Sequence, residues 1–213
     1  VAWEKQITII GCGPGSSELL TAEAKSAADS ADCLVGSKRL LDLFEVNGCE
    51  KVPVGANVDM ALKEIAGRMA TKRIGLLVSG DPGLCSLAKP VIKRFGVEAC
   101  RVIPGISSIQ LAFSRVGLDW YDAKIITAHG SSPEVNYEEL AGEGKIAVLG
   151  GREESIGWIS DLVEFLDRDR ELIICENLSL PSERVFNVRP QKFKELKLSS
   201  MAIVLIIRKE LVP

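Results

Sequence analysis

Ser79-Gly80-Asp81-Pro82-Gly83 decides the reading of this chain. It closes the apolar run Ile74-Gly75-Leu76-Leu77-Val78, whose unbroken hydrophobicity predicts a buried strand. A strand ending this way must turn sharply, because Gly frees the backbone on both sides while Pro fixes φ and donates no hydrogen bond. Asp81 is thereby placed at the carboxyl end of a buried strand, the edge at which open α/β sheets bind ligands. The plainer reading of this turn by itself is a strand-to-helix connection with Asp81 as N-cap.

Outward from that stretch, the pattern alternates. Toward the amino terminus, Gln6 to Ile10 reads as a strand running into Gly11-Cys12-Gly13-Pro14-Gly15-Ser16. A helix over 21–31, with Thr21 as cap, and a short strand at Cys33-Leu34-Val35 follow. Ser37 is expected to cap a short helix, and Pro53 limits 51–54 to an edge strand. Val58, Ala61, Leu62, Ile65, Ala66 and Met69 recur at a 3.6 period behind Asn57, predicting a capped helix. Toward the carboxyl terminus, a helix is expected from Pro90 to the C-cap Gly96, then a strand over 99–103 entering Pro104-Gly105-Ile106-Ser107-Ser108. A helix to Val116 ends at Gly117. Strand and helix thus alternate as in a parallel α/β sheet, where the three glycine-rich turns open on one edge.

The second half is again α/β. Residues 118–123 read as a linker, and the expected domains are 1–118 and 119–213. Strands are predicted at 124–128, 145–149, 171–175, 185–188 and the fully apolar 201–207, with helices at 156–166 and 190–196. Trp3, Trp120 and Trp158 read as packing residues.

Composition narrows the function. Of 213 residues, 46% are hydrophobic, enough for a sizeable core. A net charge of −3 argues against a nucleic-acid partner, which demands excess Lys and Arg. No apolar run approaches the roughly 18–20 residues of a membrane span, and no signal-peptide core stands at the amino terminus. Six scattered cysteines without a C-x-x-C pair predict reduced thiols and a cytoplasmic protein, and one histidine is too few for a metal site.

The first turn departs from the dinucleotide fingerprint G-x-G-x-x-G, since position 16 is Ser and Pro14 has no amide to offer a pyrophosphate. A loop of this kind offers carbonyls and shape. With the carboxylate of Asp81, it suits an adenosine carrying a cationic sulfonium.

With all three turns in place, the chain resembles the tetrapyrrole (corrin/porphyrin) methylases. Their marks G-x-G-P-G, G-D-P and P-G-[IVT]-[ST]-[SA] stand here as Gly11–Gly15, Gly80–Pro82 and Pro104–Ser108. The closer resemblance is to the branch that methylates carbon 5 of cobalt-precorrin-7 in cobalamin biosynthesis. It is carried by residues 102–113, Arg115-Val116-Gly117-Leu118, Ala128-His129-Gly130 and Cys175-Glu176-Asn177-Leu178 with Pro181, Glu183 and Arg184. That branch usually has H-G-R where this chain has His129-Gly130-Ser131. The resemblance implies two α/β domains with a cofactor cleft between them, a homodimer, and S-adenosyl-L-methionine as methyl donor, leaving S-adenosyl-L-homocysteine. It implies cofactor contacts at Pro14, Asp81, Leu84, Ser107, Ser108, Leu149 and Ala202. Arg115, Glu176 and Arg184 are candidates for the cobalt-precorrin substrate. Lys38 and Arg39 are also among the basic residues that could meet its acidic arms, each of which reads more plainly as surface charge. His129 is a candidate proton acceptor. A C(15)-methyltransferase/decarboxylase, fused in some relatives, is expected here as a separate partner. The competing readings are a superfamily member with a different acceptor and a nucleotide-binding module without catalysis.

Overall fold

The computed structural model describes residues 6–55, 57–128, 133–150, 153–166 and 169–212. They fall into two compact units, Val1–Ser107 and Ser108–Pro213.

The first unit is a five-stranded, wholly parallel sheet. Its elements are β1 (Ile7–Gly11), α1 (Ala22–Asp29), β2 (Cys33–Gly36), α2 (Lys38–Leu41), β3 (Glu50–Pro53), α3 (Val58–Ala66), β4 (Ile74–Val78), α4 (Ala88–Phe95) and β5 (Cys100–Ile103). The strand order is β3-β2-β4-β1-β5, with the Pro53 strand on the edge as expected. Side chains alternate across the sheet. Ile7, Ile9, Leu76 and Val78 join Ala61, Ile65 and Val91 of α3 and α4 on one face. Ile10, Leu34 and Leu77 join Ala24, Ala28 and Leu40 of α1 and α2 on the other. Both faces are covered, which is why these strands read as continuous apolar runs. Thr21 and Asn57 cap their helices, accepting the amides of Ala24 and Met60 at 3.0 Å each. Ser37 precedes α2 without a side-chain cap bond. Helix α4 starts at Ala88, two residues before Pro90, so proline sits inside its first turn.

The second unit holds α5 (Ser108–Arg115), β6 (Lys124–Thr127), α6 (Tyr137–Gly142), β7 (Lys145–Leu149), α7 (Glu153–Phe165), β8 (Arg170–Glu176), β9 (Arg184–Val188), α8 (Pro190–Phe193) and β10 (Ala202–Arg208). Its sheet runs β6-β7-β10-β8-β9, with only the β6–β7 pair parallel. The seven-residue apolar strand β10 lies at the centre, as its composition requires. Helix α6 had no counterpart in the sequence reading, because six residues with one buried side chain, Leu140, leave little periodicity.

The boundary falls earlier than the expected 118. Helix α5 packs against β10 and so belongs to the second unit. The segment after it is tied there as well. Lys145, nearly buried on β7, pairs with Asp119 at 2.8 Å and Asp122 at 2.6 Å. Trp158 packs edge-on against Tyr137, whereas Trp120, expected to pack, is exposed between Asp119 and Asp122, whose ion pairs with Lys145 hold the segment by charge and leave the ring in solvent. Trp3 lies outside the described residues. The six cysteines are free thiols, and no helix among the described residues is long and apolar enough to cross a membrane.

Candidate functional site

Because β1 lies between β4 and β5, all parallel, the turns that leave these three strands emerge side by side. They are fused by their backbones. Gly13 and Gly80 exchange hydrogen bonds, N–H to carbonyl, at 3.2 and 2.8 Å, and Cys12 donates to the Val78 carbonyl at 2.9 Å. Gly13 has φ +68°, a conformation that glycine adopts without penalty. The third turn is so close that a Cβ on Gly105 would lie 2.8 Å from the Gly11 carbonyl.

Asp81 locks the second turn to the third. One carboxylate oxygen accepts the Gly83 amide at 2.7 Å, the other the Gly105 amide at 3.1 Å. It is no N-cap, because α4 begins seven residues later. Leu84 closes the same turn, donating to the Asp81 carbonyl at 3.1 Å. Pro14 and Ser107 are buried, and Leu84 and Ser108 half-buried. Five of the seven expected cofactor contacts therefore lie in or beside these turns, with Ser108 opening α5.

The donor inventory sets the chemistry of this edge. The amides of Cys12, Gly13, Gly80, Gly83, Leu84 and Gly105 all donate within the protein. Pro14, Pro82 and Pro104 have none to give. A phosphate nest needs free amides converging on one point, and these six are committed within the protein. Carbonyls have a second lone pair in reserve. The edge fits a ligand that brings donors or positive charge. Cys12 is no nucleophile here, because burial pushes its thiol up to about 12.

The second unit gathers its candidates on one sheet edge too. Leu149 ends β7, Ala202 begins β10, Glu176 ends β8 and Arg184 begins β9. Their register pairs Leu149 with Ile203, and Glu176 with both Ala202 and Arg184. Gly150 donates to the Ala202 carbonyl at 3.3 Å. Glu176 is wholly buried. It takes the Arg184 guanidinium and the Ser199 amide, the latter at 2.6 Å. Arg115 is exposed but held to Glu183 at 2.6 Å, while the Ser179 amide donates to the same carboxylate at 2.5 Å. The Arg115 guanidinium holds the Glu183 carboxyl below the usual range. Both arginines proposed for substrate are thus paired with carboxylates of the 176–184 hairpin. Glu176 holds that hairpin to the strands beside it. His129 lies outside the described residues. Three contacts had no signal in the spacing of the sequence: Glu183 with Ser179, Glu176 with Ser199, and Arg39 with Ser79.

A parallel α/β unit with a fused turn edge, followed by a mixed-sheet unit, defines a two-unit α/β protein. Residues 6–193 match the family described as Tetrapyrrole (Corrin/Porphyrin) Methylases, and the chain belongs to that family. It is 35% identical over 184 residues to the cobalt-precorrin-7 C(5)-methyltransferase of Salmonella typhimurium, covering 84% of this chain and 88% of that one. To the probable cobalt-precorrin-7 C(5)-methyltransferase of Methanocaldococcus jannaschii it is 34% identical over 190 residues, covering 84% and 87%. Among solved structures, it resembles a uroporphyrin-III C-methyl transferase from Thermus thermophilus complexed with S-adenyl homocysteine. The TM-score is 0.76 at 23% identity, covering 95% of this chain and 92% of that one. At that identity the likeness speaks for the fold.

Proposed function

We propose that the chain is an S-adenosylmethionine-dependent methyltransferase that methylates carbon 5 of cobalt-precorrin-7, giving cobalt-precorrin-8, in cobalamin biosynthesis. Family membership and the two C(5)-methyltransferase relatives support the reaction. The observation that carries the cofactor is that six amides of the three fused turns are committed within the protein, while Pro14, Pro82 and Pro104 have none to offer. An edge of carbonyls and apolar surface suits a sulfonium cation and an adenine amine, and suits a pyrophosphate poorly.

Pro14, Asp81, Leu84, Ser107 and Ser108 are the proposed contacts at this edge, with Leu149 and Ala202 in the second unit. When bound, S-adenosylmethionine supplies a methyl group on a cationic sulfur. The work of the chain is orientation and exclusion of water. Holding two reactants in a fixed geometry is worth roughly 7–11 kcal/mol of barrier. Asp81, each of whose oxygens accepts a backbone amide, shapes the turns. The 176–184 hairpin, stiffened by its two ion pairs, is proposed to present a fixed surface to the macrocycle. The proposal extends to a homodimer in the cytoplasm, alongside a separate C(15)-methyltransferase/decarboxylase, both supported by the family resemblance.

The test is incubation with cobalt-precorrin-7 and S-adenosylmethionine bearing a carbon-13 methyl group. The expected product gains one labelled methyl, located by NMR on carbon 5. A label on another carbon, or no transfer by protein that binds the cofactor, would overturn the proposed acceptor.

A further inference from the structure

Arg39 is a half-buried cation beside an apolar cavity, without a carboxylate partner among the described residues. Arg68, Arg73, Arg101 and Arg115 each meet a carboxylate at 2.9 Å or less, and Arg184 meets Glu176. Arg39 is half-buried, yet no carboxylate among the described residues pairs with it. Its Nη2 donates to the Ser79 hydroxyl at 3.1 Å, and its Nη1 is buried without a partner. Asp42, three residues on, is paired with Lys38 at 3.2 Å, and Asp81, two residues after Ser79, holds the Gly83 and Gly105 amides. Cys12 lies close enough to act on Arg39, but its thiol is neutral at pH 7. Burial lowers the guanidinium below its ordinary value. A partly desolvated cation without an anion is costly, and a ligand that brings the anion removes that cost.

The location is suggestive. Arg39 sits on α2, directly after β2, and Ser79 directly after β4, the strand beside it. Ser79 immediately precedes Gly80-Asp81. It also lines a cavity of about 470 Å³ whose other walls include Leu40, Val54, Val58, Leu77 and Leu87. That volume lies in the roughly 300–1,000 Å³ range of small-molecule pockets. An apolar wall beside an unpaired guanidinium matches a flat hydrophobic body that carries carboxylate arms.

Resting on the methyltransferase reading above, we propose that Arg39, oriented by Ser79, receives a carboxylate arm of the macrocyclic substrate, while the adjoining cavity takes an apolar edge of the ring. Arg39 is then a specificity residue for the acid form of the substrate. The other carboxylate source, the amino-acid end of the cofactor, is separated by experiment.

Arg39→Gln and Arg39→Lys are compared with wild type in three assays: absorbance titration with cobyrinic acid and with its fully amidated form, KM for cobalt-precorrin-7, and calorimetry with S-adenosylhomocysteine. In Arg39→Gln, cobyrinic acid affinity and KM are expected to worsen about tenfold or more, as for loss of a charge-assisted bond. Affinity for the amidated corrinoid and for the thioether holds. Arg39→Lys, which keeps charge but not the fork, recovers part of the loss. Equal losses for the acid and amidated corrinoids, accompanied by a lowered melting temperature in both variants, would make Arg39 merely structural. A loss confined to S-adenosylhomocysteine would assign it to the cofactor. Either result overturns the proposal. Wild-type methyl transfer unaffected by Arg39→Gln would sink this inference alone. Absence of transfer by wild type that still binds the thioether would instead sink the acceptor.

Discussion

The turn edge of the first unit and the 176–184 hairpin of the second solve one problem by opposite means. Both hold irregular backbone rigid at the end of a sheet. The first does so mainly with backbone: Gly13 and Gly80 bond each other, Gly105 approaches Gly11 with no room for a side chain, and a single side chain, the Asp81 carboxylate, ties the second turn to the third. The second relies on side chains. Glu176 and Glu183 collect arginines and amides around Asn177 and Ser179, which sit at φ +51° and +68°. A backbone-built site tolerates almost no substitution and leaves a motif. A side-chain-built site can be remade with other charges and leaves little trace.

The comparison breaks most severely at Gly105. Gly105→Ala would drive a Cβ to 2.8 Å from backbone atoms of Gly11, so we expect a loss of about 3 kcal/mol in urea unfolding, together with loss of S-adenosylhomocysteine binding. A stability change near zero would show that the turns can part. In the hairpin, Glu176→Ala leaves the Ser199 amide without its acceptor, at a cost of about 2 kcal/mol read from the same denaturation midpoint. Thioether affinity is expected to survive, which separates the two edges.

The smallest effect is electrostatic. The Glu183 carboxyl is held below its ordinary value of 4.5 by Arg115. Its pairing therefore stabilises fully above about pH 4.5 and is lost as pH falls below it. For a half-exposed pair we expect about 0.5 kcal/mol at neutral pH. Glu183→Gln should unfold slightly earlier than wild type at pH 7, and the gap should close on acidification. A gap that widened below pH 4 would contradict the pairing.

This contrast also explains what the sequence disclosed. The parallel first sheet and the convergence of three turns were legible because Gly and Pro mark backbone geometry directly. β10 announced itself by seven apolar residues. The assignment of α5 to the second unit was hidden, since the packing of a helix on a distant strand has no local signature. The turn by itself also allowed Asp81 as an N-cap, yet its longer reach, to Gly105, is what joins the second turn to the third. The ion pairs of Glu176 and Glu183, and the solitary charge of Arg39, depend on strand register and were beyond pattern reading.

The central claim is that the fused turns, with six of their amides committed within the protein, hold an S-adenosyl ligand and not a dinucleotide. Calorimetric titration of wild type and Asp81→Asn with S-adenosylhomocysteine, and with NAD in parallel, tests it most directly. The account predicts affinity of about micromolar order for the thioether in wild type, a drop of about tenfold in Asp81→Asn, where the link to Gly105 is weakened, and no heat with NAD. Heat with NAD and none with the thioether would contradict it.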